Sequence, residues 1–445
     1  MKRRMKLLNL FWFCVIGWVL LLIIYFPKKS EFGTIHAPPP IRSEISWNSI
    51  LVTPTSQWHP NVQFNRSRPD HLPEETGNRK DDADQQKINT KPLQKSAANY
   101  TKRPARTLPE DWLEYYSSGR DVVRALWRGN VSSMMLSLRL QRAFQQYVDK
   151  NSYRVSYRSP QNKQLDQKQL EKQALLCQLK QHARVRVLDG TEEPFASLGW
   201  KHLVPSDHLD KLPGTPFRTC AVVSSAGSIL NSLLGKEIDS HDAVLRFNAA
   251  PTQGFHKDVG KKTTIRIINS QVLANSEHRF NRSSLYKNNT LVAWDPAPYS
   301  ADLEKWYREP DFDLFTGYED RRRRSPSQPF YILHPAFIWS LWTMLQTNTE
   351  ENIQPNPPST GYIGIAVMMN LCESVDVYEF IPSKRHTTRC HYYEALRDMA
   401  CTLGAYHPLL YEKLLVRRMS TASIAELSEK GKVTLPGFSK ISCPP

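Results

Sequence analysis

The sequence predicts an α/β fold, a mostly parallel sheet carried behind an N-terminal membrane anchor and a disordered stem. Three observations carry that reading. A short apolar run at 220–223 and strand-like runs at 243–247 and 264–268 are each bounded by small or polar residues, as buried parallel strands are. Helix-like and strand-like patterns go on alternating from there to about residue 380. Residues 27–108, in contrast, are rich in proline and polar side chains, with too few apolar clusters to offset the entropy of ordering them.

Taken in order, residues 1–6 carry Lys2, Arg3, Arg4 and Lys6, and residues 7–26 carry no charge at all. At about 1.5 Å per residue that run spans a hydrocarbon core of roughly 30 Å. Tyr25-Phe26-Pro27 lacks the small residues of a cleavage site, so the segment reads as an uncleaved anchor. The basic residues before it predict a cytosolic N-terminus and a lumenal remainder. Five N-x-[ST] sequons, at Asn65, Asn99, Asn130, Asn281 and Asn288, fit that side. Cysteine usage agrees. Cys14 falls in the anchor, and the remaining six, Cys177, Cys220, Cys372, Cys390, Cys401 and Cys443, suit three disulfides in an oxidising lumen. Spacing alone does not choose among their pairings. The net charge of +16 would suit nucleic acid, an anionic sugar nucleotide or an acidic membrane face, and a lumenal chain meets no nucleic acid.

Globular structure is expected over 109–445. Its first segment is helical, with Leu136, Leu138, Leu140, Ala143 and Tyr147 near one face. The run 220–223 then ends in Ser224-Ser225-Ala226-Gly227, small residues that let a ligand approach the backbone. Ile229, Leu230, Leu233 and Leu234 give the following segment an apolar helical face, and Gly235 offers a stop. Asn248 and Asn269 lie just beyond the next two strands, where ligands of open α/β sheets bind. Two carboxamides there can read a base or a sugar through paired donors and acceptors. Neither GxGxxG nor GxxxxGK[ST] is present to mark a nucleotide.

Strands are expected at 291–294 and 330–333, and a helix at 337–346 bearing Ile338, Leu341, Trp342 and Leu345. The basic run 321–324 reads as a solvated loop. Asp311-Phe312-Asp313 has the Asp-x-Asp form that holds a divalent metal on a sugar diphosphate, a weak pattern in a loop beside Pro310. Ser359 or Thr360 caps an almost wholly apolar helix, whose N-terminus would turn amides and hydroxyls toward an anion, and 375–380 reads as the next strand. Cys390, His391, Cys401 and His407 could form a zinc site, or the two cysteines a lumenal disulfide. Pro408 suits the first position of a helix running to about residue 419, which puts His407 at its N-cap. The positive helix end disfavours imidazolium there, and a neutral ring is what a general base must be.

Together these stretches resemble the animal sialyltransferases. Residues 218–271 resemble the family's large motif, 357–380 the small one, His391-Tyr392-Tyr393-Glu394 the third, and His407-Pro408-Leu409-Leu410-Tyr411-Glu412 the very small one, in the family's order. The resemblance extends from about Trp127 to Cys443 and is strongest to the β-galactoside α-2,6-sialyltransferases, with 126–132, 188–192 and 292–299 pointing to the second subtype. It implies a variant glycosyltransferase-A, Rossmann-like domain on a single-pass type II Golgi membrane protein. It implies transfer of sialic acid from CMP-sialic acid, without a metal or other cofactor, to the 6-hydroxyl of terminal galactose on N-acetyllactosamine-type glycans, by an inverting single displacement. Donor contacts carried over are Ser225, Asn248, Asn269, Ser359, Thr360, Gly361, Cys390, His391, Thr402 and Tyr406. His407 becomes the base and His391 a donor to the leaving phosphate, while Gln271, Asp311, Lys413 and Tyr153 meet the acceptor galactose. Asp311 thereby moves from metal ligand to acceptor contact. The implied disulfides are Cys177 with Cys443, Cys220 with Cys372, and Cys390 with Cys401. Two positions depart from relatives: Thr360 stands where Ser is frequent, and His391 where the first subtype has Tyr. The rival readings are a metal-dependent glycosyltransferase using Asp311 and Asp313, and a non-catalytic lumenal glycan-binding protein. A homodimer stays open.

Overall fold

The computed structural model describes residues 110–157 and 171–444. The expected tail, anchor and stem, with Asn65 and Asn99, lie outside the described residues. Among the described residues no helix is long and apolar enough to cross a membrane.

The expected α/β architecture forms around seven strands: β1 (Phe217–Val223), β2 (Ala243–Phe247), β3 (Ile265–Asn269), β4 (Thr290–Trp294), β5 (Phe330–Ile332), β6 (Cys372–Tyr378) and β7 (Lys432–Pro436). Their order across the sheet is β5-β4-β3-β2-β1-β6-β7. Neighbours run parallel except for β6 and β7. Every residue of β2 and of β5 is buried, as a central or covered parallel strand requires, Arg246 of β2 included. The chain winds outward from β1 to β5 and then returns to add β6 on the other side of β1. The order thus reverses at β1, and the crevice beyond the carboxyl ends of these strands is where a ligand of such a sheet sits.

The helix Thr360–Leu371 is buried on nearly all sides, as its almost wholly apolar sequence demands. A Cβ added at Gly364 would fall 2.5 Å from the Phe247 ring, so this glycine sets how closely the helix packs on β2. At the outer end of the sheet, Trp200 stacks on Tyr318 with ring centroids 5.5 Å apart and planes 6° apart, inside a cluster with Phe195, Trp306 and Phe315. The three disulfides form with the implied partners. Cys220 with Cys372 joins β1 to the first residue of β6, Cys177 with Cys443 ties the helix Lys172–His182 to the C-terminal segment, and Cys390 pairs with Cys401.

Four local expectations are corrected. The segment after Gly227 is a single 3-10 turn, Gly227–Ile229, and Gly235 starts the next helix, Gly235–Asp239, instead of stopping one. The reason is a carboxylate: Asp258 accepts the backbone N–H groups of Asn231 (3.0 Å) and Leu233 (2.9 Å), holding both residues at positive φ and leaving Leu233 exposed. Leu138, placed on the apolar face, is also exposed, because the chain breaks between helices Glu110–Arg128 and Leu138–Lys150 and Leu138 only opens the second. Residues 321–324 are not a loop but the end of the helix Leu314–Arg324. Arg321 is buried and donates to the Tyr286 carbonyl at 2.7 Å, while Arg323 and Arg324 pair with Glu319 and Asp320 one turn back. Strand ends shift as well, 264–268 to Ile265–Asn269 and 375–380 to Cys372–Tyr378. Of the described sequons, Asn130 and Asn288 are exposed, whereas the Asn281 amide nitrogen donates to Asp320 at 2.6 Å.

Candidate active site

The strand-end residues gather along the carboxyl edge of the sheet, each half-buried. After β1, the Ser225 carbonyl accepts the Tyr392 N–H at 3.0 Å and Ala226 forms a β-bridge with His391, so the 391–394 segment lies directly across the small-residue turn. A Cβ at Gly227 would meet the Arg389 carbonyl oxygen at 2.6 Å, and only glycine lets the two segments cross there. The His391 ring stacks on Tyr393 at 5.3 Å, and its Nδ1 lies 2.7 Å from Glu394 Oε2, which leaves Nε2 for a ligand. Cys390 has its sulfur in the disulfide and its N–H on the Leu396 carbonyl.

Asn248 follows β2 at φ 43, a conformation asparagine tolerates better than other non-glycine residues. Its Oδ1 accepts the Asn269 N–H at 3.0 Å, so the oxygen faces β3 and the NH2 group faces away from it. The two asparagines are therefore one unit. Gln271 follows on the short helix Ser270–Ala274, half-buried at the same edge. Thr402 sits half-buried on the helix Ala400–Leu403.

Ser359 is the N-cap of the apolar helix and accepts the Tyr362 N–H at 3.2 Å. It is buried, and its other groups are engaged by Glu412, whose Oε1 accepts the Ser359 N–H at 2.7 Å and whose Oε2 accepts its hydroxyl at 2.5 Å. The hydroxyl expected to face an anion is thus turned inward, and Thr360, which accepts the Trp294 indole N–H at 3.1 Å, and Gly361 are left at the half-buried helix end. Burial pushes the Glu412 carboxyl up and the adjacent Lys413 ammonium down. Lys413 donates to the Phe380 carbonyl at 2.5 Å and lies 4.3 Å over the Phe380 ring. It is a buried, already paired ammonium, not one presented to a sugar.

His407 is corrected by one residue: Pro408 is the N-cap and the helix is Leu409–Met419. The imidazole Nδ1 lies 2.8 Å from the Pro357 carbonyl, which can only accept, so Nδ1 carries the hydrogen and Nε2 keeps its lone pair. Burial pulls the ring down to about 4, against the opposing effect of that carbonyl. The direction matches the expectation from a helix end, but the cause is desolvation. The backbone before the ring is held too, with Asn356 Nδ2 donating to the Tyr406 carbonyl (2.8 Å) and Gln354 Nε2 to that of Ala405 (3.3 Å).

Beside His407 lies the Tyr406 ring, centroids 4.7 Å apart. The Tyr406 and Tyr153 hydroxyls are 2.7 Å apart, and Tyr153 donates to Asp311 Oδ2 at 2.7 Å. Tyr153 has one proton, so Tyr406 donates to it and the chain of bonds runs Tyr406 to Tyr153 to Asp311. Burial raises the pKa of both phenols. The Asp311 N–H points to Asp295 Oδ2 at 3.4 Å, which also accepts the Trp306 indole at 2.8 Å, and burial pushes the Asp295 carboxyl up to about 7. Asp313 uses Oδ1 to accept the Thr316 N–H at 3.1 Å and cap the helix Leu314–Arg324. Among the described residues no three His, Cys, Asp or Glu side chains converge as a metal site. The arrangement offers a neutral nitrogen base, a carboxylate joined to its neighbour Tyr406 through Tyr153, and outward amides at strand ends and at a helix end.

Sequence reasoning placed His407, Asn248 and Asn269 and missed their supports: Glu412, Trp294, Asp295 and the Pro357 carbonyl. Glu412 carried a signal, since a glutamate inside Leu409-Leu410-Tyr411-Glu412-Lys413-Leu414-Leu415 falls among the residues that bury the helix. The carbonyl carried none.

Residues 163–424 match the sequence model of glycosyltransferase family 29 (sialyltransferase). The beta-galactoside alpha-2,6-sialyltransferase 2 of Danio rerio is 58% identical over 346 residues, 78% of this chain and 66% of that one. That of Homo sapiens is 59% identical over 330 residues, 74% and 61% of the two. This chain thus covers slightly less than two thirds of the length of these relatives. A solved structure described as that of a mammalian sialyltransferase aligns with a TM-score of 0.31 at 25% identity, over 57% of this chain and 77% of that one.

Proposed function

The chain belongs to glycosyltransferase family 29, the sialyltransferases, and on that premise we propose that it transfers sialic acid from CMP-sialic acid to the 6-hydroxyl of a terminal galactose. The linkage follows from the identity of 58% to an enzyme named as an α-2,6-sialyltransferase. The observation that carries the chemistry is His407: a ring kept neutral by burial, with Nδ1 tied to Pro357 and Nε2 unprotonated. Nε2 takes the proton of the galactose 6-hydroxyl as that oxygen attacks the anomeric carbon, and the bond to the CMP phosphate oxygen breaks through an oxocarbenium-like state with inversion. Asp311, oriented by Tyr153 and Tyr406, holds the acceptor sugar with Gln271, and Asn248 and Asn269 read the nucleotide.

The leaving CMP carries a phosphate monoester. The helix end at Thr360 and Gly361 supplies hydrogen-bond donors to it, His391 adds one from Nε2 when both ring nitrogens carry hydrogen, since Nδ1 is engaged by Glu394, and no metal is needed. The disulfides fit an oxidising compartment, and with the sequons and the charge-free run 7–26 they support a lumenal catalytic domain on a type II Golgi membrane protein. Incubating the chain with CMP-sialic acid and a lactosamine acceptor in excess EDTA, then reading the product linkage by NMR, tests the donor, the linkage and the metal independence at once. An α-2,6 product formed at the EDTA-free rate supports it. Loss of transfer on chelation returns the reading to a metal-dependent enzyme, and binding without turnover to a glycan-binding protein.

A further inference from the structure

Arg266 lies in the middle of β3, in register with Arg246 of β2, and both are 1% exposed. A cation inside an apolar strand run is costly to bury unless it is paired. Burial pulls Arg266 down only to about 10, so it is charged at neutral pH. The ionisable groups acting on it are the neighbouring Arg246 and the phenols Tyr286, Tyr392 and Tyr393, none of them a carboxylate, and its Nε has no hydrogen-bond partner.

What the guanidinium does engage is a turn. Nη1 donates to the Asn248 carbonyl at 2.8 Å and the Ala250 carbonyl at 3.1 Å, and reaches that of Phe247 at 3.5 Å. Those are the residues that leave β2 at the carboxyl edge of the sheet, with Asn248 held at positive φ. Nη1 has two hydrogens, which serve the 2.8 and 3.1 Å carbonyls, and the rigid guanidinium plane fixes their direction where a flexible ammonium would not. We infer that Arg266 is a positioning residue for the donor, pinning the turn 247–250 from beneath so that the Asn248 carboxamide keeps its NH2 group toward the nucleotide. This rests on the proposed function, in which Asn248 contacts CMP-sialic acid. It explains why a cation occupies a strand position where an aliphatic side chain would pack with less penalty.

The test uses the full-length chain and the variants Arg266→Lys, Arg266→Met, Asn248→Ala and the double variant Arg266→Lys/Asn248→Ala. Lys keeps the charge and the stem, so it is the variant that reads the inference if Met does not fold, with melting temperature and disulfide content as the check on folding. Arg266→Lys is expected to raise the donor KM about tenfold, to shrink the melting shift caused by CMP, and to leave the acceptor KM within about twofold. Its effect on the donor KM is expected to vanish largely in the Asn248→Ala background, because the two residues act through one turn. A folded Arg266→Lys protein with a normal donor KM, equal changes in both KM values, or additive effects in the double variant would each overturn the inference. Failure of the unmodified chain to bind CMP would instead overturn the proposed function.

Discussion

His407→Asn separates the base from its support. The Asn amide nitrogen falls close to where imidazole Nδ1 sits, so it can still donate to the Pro357 carbonyl, 2.8 Å from Nδ1. Nothing replaces Nε2. The fold and the Tyr406 contact should survive, and the lost function should be proton removal alone. A positioned general base contributes about 10²- to 10⁴-fold, equivalent to roughly 3–5 kcal/mol of barrier. The assay is kcat for transfer at saturating donor and acceptor, with melting temperature in parallel. The expected result is kcat lower by about two to four orders of magnitude, with both KM values little changed. The pH profile offers an independent reading. Because burial pulls the imidazole to about 4, the acid limb of kcat/KM for the free enzyme should fall near that value, well below the 6.5 of an exposed histidine, and should vanish in His407→Asn. His407→Gln, which puts an amide near Nε2 but forfeits the Pro357 bond, should lose both activity and stability. A folded His407→Asn protein retaining more than about a tenth of wild-type kcat would refute the assignment.

Three further outcomes follow from other parts of the structure. Glu412→Gln leaves one acceptor for two Ser359 donors and removes the anion beside buried Lys413. We expect a loss of about 2–4 kcal/mol in denaturant unfolding together with a raised donor KM, and an unchanged midpoint would remove Glu412 from the frame of the site. Burial pulls His334 as well as His407 to about 4. The unfolded chain therefore binds more protons than the folded one between about 6.5 and 4, so stability is intact above that window and declines as pH falls through it. The decline should reach about 3 kcal/mol for fully buried His334 and less for half-buried His407, and His334→Gln should flatten the curve of stability against pH. Replacing Cys220 and Cys372 together by alanine opens a loop of sequence separation 152. Chain-entropy estimates put the loss at about 5 kcal/mol, measurable as a lower midpoint under non-reducing conditions.

The elements most legible in the sequence are those that local pattern specifies. β2 was read to its last residue because Ala243-Val244-Leu245 and Phe247 are apolar and the run ends at an Asn, as a buried strand does at an edge. The apolar helix was legible for the same reason, while its cap, open between Ser359 and Thr360 in the sequence, is Ser359. Where a distant group intervened, local pattern misled. The carboxylate of Asp258 turned an apparent helix into an irregular turn, and burial against Tyr286 drew Arg321 out of an apparent solvated run.

By itself, then, the sequence determined that an α/β sheet would present Ser225, Asn248 and Asn269 at one edge, and that Thr360 and His407 would lie near helix starts, since strand period, caps and turn residues act over a few positions. Only the tertiary structure decided what holds them. Tyr153 meets Asp311 across 158 positions and Tyr406 across 253, Ser359 meets Glu412 across 53, and Arg266 reaches back 18 to Asn248. Such partners are chosen by which surfaces the sheet and its helices bring together, and by the cost of burying a charge or hydroxyl without a bond. No local pattern records that choice.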